Sequence, residues 1–289
     1  MTVTSQFRKA LIITILVTLS SGLLADVSFF SLKNSKEPIV DPEIAQGGAL
    51  LLRVPKTTLL WFNDKPVFVD AEGQALIALG RDATQALLRW HAPKSLEKQQ
   101  QIPVRKRHFA IERVDGLPPA KVTAPMDPKI QERIRKESRD VRSARTVTDS
   151  RTEFLDGFIW PVKGRLSGHY GSQRILNGKP KSPHYGVDVA VATGTPVVAP
   201  AGGKVIYSNT DMYYSGGTLV IDHGHGLSST FLHLSELLVT VGEEVKQGQV
   251  VAKVGATGRA TGPHLDWRMN LGPSIRIDPE LVVAPMNLK

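Results

Sequence analysis

The sequence predicts a mainly β protein: a small N-terminal β-sandwich-like domain, a charged helical linker, and a C-terminal domain built on an antiparallel β-sheet. Three observations carry this reading. Short apolar runs broken by turn pairs fill residues 47–120, charged residues with sparse apolar positions fill 121–153, and residues 154–289 are dense in Val, Ile and Gly with repeated turn signals. With 289 residues and 41% apolar content, the chain is long enough for two cores. It has no cysteine, which excludes disulfides, zinc fingers and thiol nucleophiles.

Taken in order, basic Arg8 and Lys9 precede an apolar stretch from Ala10 to Leu24, then Ala25 and acidic Asp26. That is the pattern of a secretory signal over residues 1–25, cleaved after Ala25 and leaving no stable membrane span. An uncleaved signal anchor in the inner membrane is the alternative. Residues 26–46 read as a linker without strand or helix periodicity. In residues 47–120, runs at Leu50–Val54, Thr58–Phe62, Val67–Val69, Ala75–Leu79 and Phe109–Ile111 are spaced as short strands, with turns at Asn63-Asp64 and Glu72-Gly73. His91 and His108 there have no ligand-spaced neighbour and read as surface or packing residues. Ile130, Ile134 and Val141 are the sparse apolar positions of an exposed helix. Beyond it, Thr195–Ala199, Lys204–Tyr207, Thr218–Asp222, Ser229–Leu232 and Gln249–Val254 read as strands of a closed set, so residues 154–289 are expected to fold alone.

The formal net charge of +9 favours an anionic polymer as partner. Export disfavours nucleic acid and points to the carboxylates and phosphates of the cell envelope or periplasm.

Candidate chemistry lies in the last domain. His184 and Asp188, with Gly186 and two valines between and beside them, favour extended structure, where positions four apart share a face and can converge on one ion. His264 and Asp266 share a strand face, with Leu265 and Trp267 on the other. His233 ends a strand in the Phe231–Leu234 segment. His223 and His225 have His-x-His spacing, but their glycines mark a tight hairpin turn, not a metal site. Arg174 and Asn177 read as residues of a loop before His184. Arg174 could grip a peptide carboxylate, an ordinary surface arginine being the alternative.

The three features His184-x-x-x-Asp188, Phe231-Leu-His233-Leu and Gly258 to Asp266, taken in this order, resemble the lysostaphin-like (LytM-type) zinc metallopeptidases. Segments 194–197, 221–227 and 241–249 add to the resemblance, which covers roughly Phe158 to Asn270. It implies that residues 154–289 are a metallopeptidase domain that hydrolyses peptide cross-links between peptidoglycan peptide stems. It further implies that His184 and Asp188 ligate Zn2+, that the position of Asp266 supplies the third ligand, and that His233 and His264 are catalytic. The family has His where Asp266 stands. Two carboxylates would cancel the charge of a divalent ion, where one carboxylate and two imidazoles leave it singly positive, so a slow enzyme is expected. Two other readings compete. One is a weak or inactive wall-binding module of the same fold that activates another hydrolase. The other is a lipoyl-type carrier suggested by Val241–Gln249, which export argues against.

Overall fold

The structure, a computed structural model, describes residues 27–116 and 125–286. The signal segment expected over residues 1–25 lies outside the described residues. Among the described residues no helix is long and apolar enough to cross a membrane.

The protein is mainly β, as expected. Two four-stranded sheets build the N-terminal part. One runs, in spatial order, Asn34–Ile39, Ser28–Ser31, Ala49–Arg53, Gln74–Ala78; the other runs Lys65–Pro66, Leu59–Phe62, Leu87–His91, Lys98–Gln101. Period-two alternation divides the first sheet between two cores. Phe29, Leu50, Leu52, Ala75 and Ile77 face the second sheet, where Leu60, Phe62, Leu88 and Trp90 complete one core. Phe30, Leu51, Leu76 and Ala78 face the other way, into the core of the C-terminal part.

Several expectations change here. Residues 26–46 are not a plain linker, because Ser28–Ser31 and Asn34–Ile39 pair as an antiparallel hairpin and Phe29 and Phe30 are buried on opposite faces. The polar Asn34–Ile39 strand hid the signal, since it is an edge strand with no buried residue. The expected strand at Val67–Val69 reduces to one bridge, Val69 to Ala75. The run at Phe109–Ile111 belongs to a strand that starts only at Ile111 and continues to Val114, paired in parallel with Gln173–Leu176.

Among its described residues the charged segment holds one α-helix, Pro128–Ala144, with no buried residue. Asp127 caps it by accepting from Lys129 N–H at 2.8 Å, Pro128 opens it, and Arg133–Glu137 and Lys136–Asp140 pair one turn apart. Glu137 also accepts from the backbone N–H of Tyr213 at 3.0 Å, which ties the helix to a hairpin beside the candidate site.

The C-terminal sheet is antiparallel, in the order Arg165–Gly168, Val187–Ala190, Leu265–Leu271, Leu227–Leu237, Gly216–Asp222, Gly203–Met212, Glu244–Val245. Trp267, Phe231, Met269, Leu265, Val187 and Val189 point from its central strands into one core with Phe154 and Phe158. The opposite face of the same strands carries Asp188, Asp266, Arg268 and Thr230, and there the site is built.

The expectation that residues 154–289 form a closed unit meets a shared core. Leu51, fully buried, packs with them, and the buried carboxylate of Asp278 pairs with Arg107 at 2.6 Å. Leu51→Ala is therefore expected to destabilise the whole chain by about 2–5 kcal/mol, with both parts melting in one transition. Denaturant unfolding followed by tryptophan fluorescence checks this, and two separated transitions with only one of them shifted would contradict it.

Candidate metal centre

The centre starts from strand register. Asp188 on Val187–Ala190 lies directly opposite Asp266 on Leu265–Leu271, so the two carboxylates project from the same face of adjacent strands. Like charges in that position repel, and Asp266 is almost fully buried, so the pair requires a cation. Two glycines leave it room. A Cβ on Gly168 would lie 2.3 Å from an Asp188 carboxylate oxygen, and one on Gly186 would lie 2.7 Å from an Asp266 oxygen.

His184 enters from the segment before its strand. Its backbone is clamped against residues 171–172: Gly171 N–H donates to the His184 carbonyl at 2.7 Å, and His184 N–H donates to the Ser172 carbonyl at 2.8 Å. Its ring Nε2 lies 3.1 Å from Asp188 Oδ1 and 3.5 Å from Asp266 Oδ2. One donor atom from each of His184, Asp188 and Asp266 falls within 4.8 Å of the others. His184 Nε2 and Asp188 Oδ1 are shielded from solvent, and although close they make no well-directed hydrogen bond to any partner. Buried donor atoms that converge in this way without a well-directed hydrogen bond fit a metal ion.

His233 reaches the site through a local irregularity. Leu232 pairs with Asp266, so strict alternation would turn His233 to the core face. Instead the pairing with Gly216–Asp222 slips by one residue, Leu232 and His233 together facing Thr218, and His233 takes a left-handed φ of 63°. Its ring then stacks obliquely on His264, with centroids 4.7 Å apart, and His264 Nε2 lies 3.9 Å from Asp188 Oδ1.

All three rings are oriented in one way. Nδ1 of His184 faces the His169 carbonyl at 3.4 Å, that of His233 faces the Thr257 carbonyl at 2.8 Å, and that of His264 faces the Gly262 carbonyl at 2.8 Å. A carbonyl can only accept, so each Nδ1 carries the proton and each Nε2 is left for the site.

The electrostatics follow. Burial opposes the charged form of His184, but the Asp188 and Asp266 carboxylates outweigh it and raise its pKa from 6.5 to about 10. Burial also opposes the charge on Asp266, yet Arg268 and His184 together hold its carboxyl well below the usual range. Burial lowers the pKa of His233 and keeps it neutral. Arg268 is a residue that sequence reasoning missed. Its Nε donates to both Asp266 oxygens at 2.9 and 3.1 Å and a terminal nitrogen donates to Oδ2 at 2.6 Å. The signal was available, since residues 266 and 268 share a strand face. Thr257 was missed too; its hydroxyl bridges Gly217 N–H and the Leu234 carbonyl while its own carbonyl holds His233.

The structure does not bring Arg174 or Asn177 to the triad. Arg174 sits in a strand, not a loop, and pairs with Glu112 at 2.8 Å, both well exposed. Asn177, with φ 47°, and Gly178 form the two-residue turn between Leu176 and Lys179, a structural task that selects Asn-Gly. His223 and His225 stay out of the site as expected. His223 is buried between the Gly202 carbonyl and Ser229 and burial lowers its pKa to about 4, while His225 packs between Phe68 and Phe154. His91 and His108 are exposed.

Residues 182–279 match the model of peptidase family M23, and this part of the chain is a domain of that family. Among relatives, the chain is similar to the peptidoglycan DD-endopeptidase ShyA of Vibrio cholerae, 38% identical over 38% of this chain and 26% of that protein. It is also similar to the NlpD/LppB homolog lipoprotein of Pseudomonas aeruginosa, 36% identical over 36% of this chain and 33% of that protein. The chain thus spans a third or less of the length of these relatives. The crystal structure of a Pseudomonas aeruginosa protein assigned to peptidase M23 matches with a TM-score of 0.61 at 28% identity, over 83% of this chain and 95% of that one. That share is too large to be confined to residues 154–289, so the likeness includes part of the N-terminal half.

The raised pKa of His184 sets a pH dependence. A folded pKa above the unfolded value means that its ion pairs stabilise the metal-free protein fully below about pH 6.5 and are lost as pH rises towards about 10. In the presence of a chelator, the cost of His184→Ala is expected to be largest near pH 6 and to shrink through this window. Thermal melts of parent and variant at several pH values check it; an equal cost at both ends contradicts it.

Proposed function

We propose, with the M23 domain as premise, that this protein is an exported zinc-dependent endopeptidase that hydrolyses peptide cross-links of peptidoglycan. One observation carries the reading: three imidazoles each set Nδ1 on a backbone carbonyl, Nε2 of His184 and His264 faces two opposed carboxylates, and the His233 ring lies on that of His264. His184, Asp188 and Asp266 would hold the zinc. When bound, the metal supplies a Lewis acid that polarises the scissile carbonyl.

The chain's own residues supply the proton transfers. His233 and His264 stand beside the triad with Nδ1 committed to a backbone carbonyl and Nε2 left open, so either can take a proton from the attacking water and return it to the departing amine. Once protonated, Nε2–H can donate to negative charge developing on the substrate oxygen. The formal charge of +9 suits an anionic wall. Export and a periplasmic or envelope location rest on the basic and apolar N-terminal residues.

A second reading, a regulatory wall-binding module, has two observations in its favour. Asp266 already holds a guanidinium, and one relative is named a lipoprotein of the NlpD/LppB type. The convergence of one donor atom each from His184, Asp188 and Asp266 within 4.8 Å favours the metal-holding enzyme.

His233→Ala and His264→Ala are each expected to retain nearly stoichiometric zinc while digestion of purified peptidoglycan falls by about 100-fold or more. Asp266→Ala is expected to lose zinc. Metal content by atomic absorption beside a digestion assay checks all three; a parent that neither holds zinc nor digests wall leaves the regulatory reading standing.

A further inference from the structure

We infer that Arg268 is a positioning residue that neutralises Asp266, so that an Asp–Arg pair does at the third ligand position what a neutral imidazole would do. The inference rests on the zinc reading above and concerns how the site tolerates a second carboxylate.

The geometry is that of a bidentate pair. Arg268 Nε and one terminal nitrogen lie 2.6–3.1 Å from the Asp266 oxygens, and both residues project from the same face of Leu265–Leu271. A carboxylate offers about four lone-pair positions. Arg268 donates twice to Oδ2 and once to Oδ1, and Oδ2 also lies 3.5 Å from His184 Nε2, where the other two donor groups converge. Gly186 makes the pair possible. A Cβ there would lie 2.6 Å from Arg268 Cγ and 2.7 Å from Asp266 Oδ1, so the absence of a side chain at 186 is the space that the pair occupies.

Charge counting gives the pair its meaning. A divalent ion with His184 and two carboxylates is neutral; adding the guanidinium restores a single positive charge, the same as one carboxylate with two imidazoles. On this count the site would not be short of positive charge. Asp266 is also the main attraction that keeps Arg268 in place, with Asp188 a lesser one, while neighbouring cations oppose it. Burial and then repulsion from Arg276 and Arg268 lower the pKa of Arg145 to about 9, and Arg276 is lowered to about 10 by burial and Arg268.

The test is the sign of the effect of Arg268→Gln on zinc affinity, measured by competition with a chromophoric chelator in the full chain. A neutralising cation repels the metal, so its removal is expected to tighten zinc about tenfold or more, both in the parent and in an Asp266→His background. In the latter, Arg268 is left without its carboxylate. Arg268→Lys, which keeps the charge, is expected to stay within about threefold of the parent, and circular dichroism confirms that each variant is folded. Unchanged or weaker binding in Arg268→Gln overturns the inference, since a residue that only supports the strand would give that result. Asp266→Ala separates the two levels of the argument. If it holds zinc as tightly as the parent, Asp266 is not a ligand and the site reading fails, whatever Arg268 does.

Discussion

The constraint on which the rest of the site depends is the placement of Asp188 and Asp266 directly across from each other on neighbouring strands. Two carboxylates cannot stay ionised at that separation, one of them buried, unless cations stand with them. Three candidates converge: the His184 imidazolium, the Arg268 guanidinium and a divalent metal. The first two act in the metal-free protein. Only His184 can give way to a metal by releasing a proton, because a guanidinium keeps its charge. The site is therefore assembled without a metal, and on the proposed reading metal entry would exchange one cation for another without rebuilding the sheet.

The N-terminal half bears on this arrangement through the backbone of residues 169–172. That segment clamps His184 on both its N–H and its carbonyl. It is in turn held by the other half: Arg81 Nε donates to the Gly171 carbonyl at 2.8 Å, and a Cβ on Gly171 would collide with the Phe109 ring. Tyr170 donates to the Arg276 carbonyl at 2.9 Å and its ring lies against Gly47. Added to the shared core around Leu51 and Leu76, these contacts make the N-terminal sheets part of the scaffold that orients the first imidazole.

The parts of this protein that could be read from sequence are those set by local periodicity. Leu50–Val54, Ala75–Leu79 and Thr218–Asp222 showed strand character because they are short, almost wholly buried runs bounded by turn residues. The pairing of His184 with Asp188 and of His264 with Asp266 followed from strand geometry and resemblance. The edge strand Asn34–Ile39 was hidden because pairing through backbone groups needs no apolar side chain. The parallel pairing of Ile111–Val114 with Gln173–Leu176 was hidden because it joins segments about 60 residues apart, and no local pattern encodes it. Arg268 stood in plain view at the correct strand phase. What concealed it was reading the motif as ending at Asp266, whereas an acid in place of a neutral ligand raises the question of where its counter-charge lies.

Two histidines with left-handed backbones show how far strain argues for function. His225, with φ 52°, and His233, with φ 63°, each hold a conformation that costs a non-glycine residue roughly 1–2 kcal/mol. His225 sits in the Asp222–Leu227 turn, and its ring lies edge-on to Phe68 and Phe154 with Asp70 at 3.3 Å, so packing between the two halves of the chain accounts for it. His233 lies within a long strand, where a continuous ladder was available. The slip there turns an imidazole from the core face to the site, gives its Nδ1 to Thr257 and sets its ring on His264. A leucine or valine in regular register would have filled the core at that point at lower backbone cost. Positive φ alone does not distinguish the two histidines; the direction in which the free nitrogen is left pointing does.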